Sequence, residues 1–498
     1  MRRFMPNQTK KKDLVIVGGG AGGLALAFRA ARLGLKVGVV DKYPLLGGDY
    51  LHLGCVPSKA LLAVAQTAHD FTQAHKQGLP NQVSIDWPGI KANLNQIRQD
   101  IQPRYSQEKL ESLGGDVCTG EPVFVGPNTL SILDKTLQLK QEWIAKKIVI
   151  ATGSRPMILP IPGLSSSEVH TNETIYQLSA LPKSMVIVGA GVTGIEFAQA
   201  FQRLGVKVTV LVHSGRILRT LDIQGSTAIS DVLKQEGVSI LTEANIIQAS
   251  RKDPQTINLV IQQKEKTFNL ETETVFVATG RLPNIENLGL EQIGMQYTKQ
   301  GIVVDDYFRT NLKHIYAIGD VIAWPHRFAH MAEYGAEVVY RHLYLKNLAP
   351  KAKLKWVPGV IFTSPEMASL GLTEQEAQAQ KLVYEILYWE FKNLDRAAIS
   401  NKPEGFIKLI LVKQKVIGAT VVCERAGEIL AELGILMQKN RSISDVIETI
   451  HAYPTWAEGL RRAVQTHFDQ NNKPSLRCWP SWLTSWLKRL MQRTLSKL

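Results

Sequence analysis

Two stretches of the chain are copies of one design, and that repetition constrains the fold more than any other feature. Residues 13–41 read DLVIVGGGAGGLALAFRAARLGLKVGVVD, and residues 184–212 read SMVIVGAGVTGIEFAQAFQRLGVKVTVLV, at an offset of 171. In each, an apolar run ends in Gly-x-Gly-x-x-Gly, a helical pattern follows, and a second apolar run closes the unit. The glycines are Gly18, Gly20 and Gly23 in the first copy and Gly189, Gly191 and Gly194 in the second. Strand, glycine turn and helix in that order let the backbone approach a pyrophosphate, which the helix N-terminus then binds. Two such units in one chain imply two bound dinucleotides.

The copies differ where it matters chemically. The first ends in Asp41, an acid suited to accepting ribose hydroxyls. The second has Val212 there, followed by His213, Arg216 and Arg219. An acid repels a 2′-phosphate and bases pair with one, so the second site leans toward NADPH, with NADH the other candidate. The opposing explanation is that His213 and the arginines form a solvated loop. Ile148–Gly153 and Val275–Gly280 both end in Ala-Thr-Gly and frame the second copy, as an inserted domain requires. Ile315–Asp320 reads as a strand ending in Gly-Asp, with a helix from about Ala329.

Length allows about three domains. The net charge of +14 sits at the ends: residues 1–12 carry five bases, residues 471–498 carry six, and neither stretch has an acid. Without those eleven of the 58 bases, and against 44 acids, the body is at +3, which disfavours nucleic-acid binding. Four scattered cysteines (Cys55, Cys118, Cys423, Cys478) give neither a disulfide framework nor metal-ligand spacing. With no secretory h-region and no run long enough to span a bilayer, the body is expected in the cytoplasm.

Between the two copies lies GGDYLHLGCVPSK, Gly47 to Lys59. Its Pro-Ser-Lys opens a helical pattern, which puts Cys55 at a helix N-terminus, where the positive end of the dipole stabilises a thiolate. From about Leu354 the texture changes to short alternating runs at 360–362, 405–409 and 417–421, with helices around 426–438 and 442–450. That describes a separate α+β domain ending near 470.

Together these motifs resemble the flavoprotein disulfide reductases, the group of dihydrolipoamide dehydrogenase, glutathione reductase and mercuric reductase. The resemblance covers roughly residues 13–470. It implies an α/β fold of two Rossmann-type dinucleotide-binding domains, with the NAD(P) domain (161–278) inserted in a split FAD domain (13–160 and 279–350), plus a C-terminal α+β dimerisation domain (351–470). A homodimer follows. Carried onto this sequence, Gly18, Gly20, Gly23, Asp41, Gly48, Thr152 and Gly153 belong to the FAD site, Asp320 holds the ribityl chain, and Ala329-His330 lies beside the flavin pyrimidine. Gly189, Gly191, Gly194, His213, Arg216, Arg219 and Gly280 belong to the nicotinamide nucleotide. Lys59 looks like the lysine near flavin N5 and Glu196 like its salt-bridge partner, which also borders the nucleotide. Phe362-Thr363-x-Pro365-Glu366 and Gly371-x-Thr373-Glu374 match the dimerisation pattern.

The chain departs from the family in two places. The redox motif GG-T-C-x4-C-x-P-S-K has Asp49 and Tyr50 in place of the threonine and the first, interchange cysteine, while Cys55 remains. The C-terminal H-P-T-x-x-E, whose histidine serves the partner subunit as acid/base, here has Tyr453, although Glu458 survives. His451, two residues upstream, matches a family histidine that is not the catalytic one. Disulfide reduction needs two thiols and a base near neutral pKa, and tyrosine titrates near 10. Every flavin and nucleotide element persists. The expectation is an FAD-dependent NAD(P)H oxidoreductase that passes electrons to a quinone or similar acceptor, with Tyr50 and Tyr453 lining the acceptor face. Two alternatives stay open: a thiol or mercuric reductase relying on Cys55 with a partner's thiol, and a non-enzymatic FAD-bound sensor or scaffold.

Past residue 470, Arg477–Leu498 carries apolar residues at 482/483, 486/487, 490/491, 494/495 and 498, with Lys488, Arg489, Arg493 and Lys497 between them and three tryptophans at one end. A basic amphipathic helix of this kind suits the anionic inner face of a membrane; the alternative is that the stripe packs on the protein's own body or on the other subunit.

Overall fold

A computed structural model describes residues 9–79 and 84–470, so the expected helix of the C-terminal tail lies outside the described residues. The chain forms two compact units: residues up to 218 together with 230–354, and residues 219–229 together with those from 355 onward.

The first unit contains the strands β1 (Thr9–Val17), β2 (Val37–Asp41), β3 (Asp116–Thr119), β4 (Glu121–Gly126), β5 (Thr129–Leu133) and β6 (Leu139–Ile150). They lie in the order β3-β2-β1-β6-β5-β4, and Ile315–Ala317 also pairs with β6. β1, β2, β3 and Ile315–Ala317 run parallel, whereas β4 and β5 are antiparallel additions. Helix α1 (Ala21–Arg32) crosses over between β1 and β2. Leu14, Val15, Ile16 and Val17 are at most 1% exposed, as a central parallel strand requires; each such side chain contributes about 1.5–3 kcal/mol by burial. β1 starts earlier than its apolar run because residues 9–12 pair with residues 142–145 of β6, while Lys10 and Lys12 both reach Asp116 and Lys12 lies over the ring of Trp143. Part of the basic N-terminus is therefore sheet.

The second copy repeats the plan. Ser239–Thr242, Lys207–Val212, Ser184–Val188 and Thr274–Val277 form a four-stranded parallel sheet in that order, with the helix Val192–Arg203 as crossover. A three-stranded antiparallel sheet, Ala244–Arg251, Ile257–Gln263 and Lys266–Thr272, shares an apolar core with it.

In the second unit one antiparallel sheet has the order Gly359–Ile361, Glu366–Gly371, Lys415–Cys423, Phe406–Val412, Glu385–Glu390. Ala426–Gln438 and Glu458–Gln470 are helices whose buried faces join its core. The expected second helix around 442–450 shrinks to Asp445–Glu448. Lys408, 3% exposed, is held by Asp222 at 2.9 Å and Glu374 at 2.6 Å. Among the described residues, no helix is long and apolar enough to cross a membrane.

Candidate functional site

A cavity of about 980 Å³ opens in the first unit. Its walls bring together residues far apart in sequence: Gly18, Gly20, Asp41, Gly48, Asp49, Tyr50, Cys55, Lys59, Thr152, Gly153, Glu196, Asp320 and Ala329. Gly20 and Ala21 put the N-terminus of α1 on this cavity, with no side chain before it.

Two glycines of the cavity wall, Gly18 and Gly48, stand against backbone too closely for any Cβ. Gly18 has φ +109°, and a Cβ there would stand 2.3 Å from the Ala151 carbonyl oxygen; Gly189 repeats this against Ala278 at 2.4 Å. Gly48 has φ +64°, and its Cβ would meet Gly20 Cα at 2.6 Å. The stretch from Gly47 is thus pressed onto the first glycine turn, and the Gly47 amide donates to the Gly19 carbonyl. Helix α2 (Gly48–His52) follows, then α3 (Cys55–Gln73).

Asp41 ends β2, with Oδ2 accepting from the Gly19 amide at 2.7 Å and Oδ1 from the Tyr43 amide at 2.8 Å. Burial pushes its carboxyl up despite these bonds. Lys59 on α3 reaches Glu196 Oε2 at 2.7 Å; Glu196 is 3% exposed and Lys59 33%. The cation therefore stands at the cavity wall with its counter-charge behind it. Asp320 accepts from the Ser154 hydroxyl at 2.7 Å. A bare glycine floor, a helix N-terminus, a carboxylate at each end and a paired lysine fit a flavin dinucleotide.

The expectation of a stabilised thiolate at Cys55 is corrected. Cys55 does begin α3 and is exposed by surface area, but it sits down in the cavity. Crowding by protein pushes its thiol up more than nearby Lys59 pulls it down, and Glu196, Asp49 and Asp320 add to the upward shift. Cys118 and Cys423 are buried. Tyr50 packs edge-on to Tyr105 with ring centroids 5.6 Å apart, and its hydroxyl is buried with no hydrogen-bond partner among the described residues. Burial raises its pKa far above that of ordinary tyrosine.

Other sequence candidates lie elsewhere. The walls of the cavity do not include Gly23, Gly189, Gly191, Gly194 or Gly280. His213 is exposed after its strand, its Nδ1 2.8 Å from Asn245 Oδ1, and Arg216 donates to the Leu218 carbonyl at 3.2 Å. Arg219 is exposed and belongs to the second compact unit. In that unit Tyr453 is 64% exposed and donates to Asp395 at 3.0 Å, a bond that raises its pKa. Glu458 is buried; one oxygen accepts from Arg462 and the other has no hydrogen-bond partner among the described residues. His451 lies 3.2 Å from Glu432.

Sequence reasoning missed a polar chain on the cavity wall. Arg281 donates to Asp49 Oδ2 at 2.6 Å, to the Ser154 hydroxyl at 2.6 Å and to the Ser154 carbonyl at 2.8 Å. Asp49 had counted only as a lost threonine. The signal was available: a carboxylate placed in a cofactor cleft needs a counter-charge.

Comparison with known proteins places these features. The pyridine nucleotide-disulphide oxidoreductase domain matches residues 12–336, and the dimerisation domain of the same group matches 357–464. A dihydrolipoyl dehydrogenase of Bacillus subtilis is 33% identical over 91% of this chain and 97% of its own length. A mercuric reductase of Staphylococcus aureus is 31% identical over 93% of this chain and 84% of its own. The solved structure of the HOCl-induced flavoprotein disulfide reductase RclA from Escherichia coli, a Cu(II) complex, shares the fold with a TM-score of 0.83, at 24% identity over 92% of this chain and all of that one.

Proposed function

This chain belongs to the pyridine nucleotide-disulphide oxidoreductase family and uses FAD with NAD(P)H, and on that premise we propose that it reduces a quinone-like acceptor without a dithiol relay. The observation that carries the reading is the occupant of position 50. Where the family's interchange thiol would stand, Tyr50 packs on Tyr105, and apart from Cys55 the described cysteines, Cys118 and Cys423, are buried. The flavin supplies the chemistry of accepting a hydride from NAD(P)H and handing two electrons on, so that NAD(P)H, a proton and quinone give NAD(P)⁺ and hydroquinone.

The protein's part is placement. Lys59, backed by Glu196, would stabilise the negative charge of the reduced cofactor. Asp41 and Asp320 would hold ribose and ribityl hydroxyls, and the N-terminus of α1 would bind the pyrophosphate. His213 and Arg216 support NADPH over NADH. In a homodimer built on the dimerisation domain, Tyr453 of the other subunit would add a second ring to the acceptor face. The tail, with its basic amphipathic pattern, supports a place on an anionic membrane surface, where quinones dissolve.

Purified protein should oxidise NADPH faster with a soluble quinone than without it, and Cys55→Ser should keep that rate. No stimulation by quinone overturns the proposal. A second reading is favoured by the exposure of Cys55 in the cavity: a thiol or metal-ion reductase in which a partner supplies the second thiol. It requires dithiol or metal-ion turnover that disappears in Cys55→Ser.

A further inference from the structure

We propose that Asp49 is a cofactor-positioning residue whose task is to keep the Arg281 guanidinium from closing its long ion pair with Asp320 into a direct hydrogen bond. The inference rests on FAD occupying the cavity and on Asp320 facing its ribityl chain; it is independent of the acceptor.

The geometry is a short relay of charges. Asp49 Oδ2 takes Arg281 Nη2 at 2.6 Å, while Arg281 Nε lies 2.6 Å from the Ser154 hydroxyl and 3.7 Å from Asp320 Oδ2. The Ser154 hydroxyl in turn donates to Asp320 at 2.7 Å. One cation therefore stands between two carboxylates, hydrogen-bonded to Asp49 at 2.6 Å and in a longer ion pair with Asp320 at 3.7 Å. All four side chains line the cavity.

The other oxygen of Asp49, Oδ1, is buried and has no hydrogen-bond partner among the described residues. The carboxylate is thus held by Arg281, and Arg281 by it together with the hydroxyl and carbonyl of Ser154. Burial pushes the Asp49 carboxyl up even with the arginine beside it, as expected of a charge kept at a cost for one contact. The Arg281 carbonyl also accepts from Arg327, which fixes the backbone from which the guanidinium swings.

Take away the charge at position 49 and the balance tips. The nearest remaining carboxylate is Asp320, and a guanidinium freed from Asp49 can shorten its 3.7 Å ion pair with Asp320 into a direct charge-assisted hydrogen bond. An Asp320 engaged by arginine has fewer lone pairs left for polyol hydroxyls, so the cofactor loses an acceptor without losing any residue that touches it. The harm should come from Arg281 in the wrong place. That makes the idea separable from a general structural role, because removing Arg281 as well should remove the harm.

The experiment measures FAD release from the full-length holoprotein as the rise in flavin fluorescence after dilution. Wild-type protein that carries FAD establishes the premise separately. Asp49→Asn should release FAD about tenfold faster, and Asp49→Asn combined with Arg281→Gln should return to within about threefold of wild type. Release from Asp49→Asn within twofold of wild type overturns the proposal. So does a double variant as fast as the single one, which would make Arg281 itself a cofactor ligand. If Asp49→Asn does not accumulate as holoprotein, Arg281→Gln alone decides: release within about threefold of wild type supports the proposal, and tenfold faster release contradicts it.

Discussion

Cys55 shows how one residue's surroundings can reverse an expectation drawn from its place on a helix. A helix N-terminus favours a thiolate, but the cavity wall around this thiol removes water and brings three carboxylates within electrostatic reach, against one lysine. Because the thiol is shifted upward, the neutral form persists to higher pH than for a free cysteine, whose value is about 8.5. In a Cys478→Ser background, iodoacetamide labelling of Cys55 followed by mass spectrometry should therefore rise with a midpoint at higher pH than a free cysteine peptide labelled in parallel; a midpoint at or below that of the peptide would refute the shift. Glu196 allows a second test at this scale. Glu196→Gln leaves Lys59 with a neutral partner, so stopped-flow reduction of the flavin by NADPH should slow at least tenfold. An unchanged rate would remove the pair from the chemistry.

At the scale of elements, the tight approach of two turns decides whether the cavity exists. Gly48 combines a left-handed backbone with a neighbour 2.6 Å from any added Cβ, and that neighbour is the backbone of Gly20, which cannot yield as a flexible side chain could. Gly48→Ala should cost about 1–3 kcal/mol in thermal or chemical denaturation and purify with less FAD. The second unit has its own electrostatic test. Burial alone would lower the pKa of Lys408, but its hydrogen bonds to Glu374 and Asp222 outweigh this and hold the ammonium above its ordinary value. The stabilisation is fully present below the unfolded lysine pKa of about 10.4 and is lost as pH rises through the raised folded value. Lys408→Met should destabilise the protein by about 3–5 kcal/mol, because Asp222, 1% exposed, loses its cation.

The same elements show how far the sequence was legible. The two glycine units could be read because strand, turn and helix each carry a local signal, and the structure places Gly18 and Gly189 in matching conformations. The five-stranded sheet was only partly legible. Glu366–Gly371 and Glu385–Glu390 lack clean alternation, since what fixes them is pairing with strands far along the chain. The Asp49–Arg281 contact spans 232 positions, and no local pattern could announce it.

For the whole molecule, belonging to the family settles the fold and the cofactors, and the departures from it define the question of function. The tail offers one independent test. If it lies on anionic membranes, full-length protein should float with phosphatidylserine-containing liposomes and the chain cut after Asp469 should not; equal flotation would refute the surface role. The acceptor is the central claim. Under anaerobic conditions, holoprotein whose flavin has been reduced by one equivalent of NADPH can be mixed with a soluble benzoquinone or with lipoamide, following the return of oxidised-flavin absorbance. The account expects benzoquinone to restore that absorbance at least a hundredfold faster than lipoamide does, with Cys55→Ser behaving as wild type. Rapid reoxidation by lipoamide that vanishes in Cys55→Ser, with no response to quinone, would contradict it.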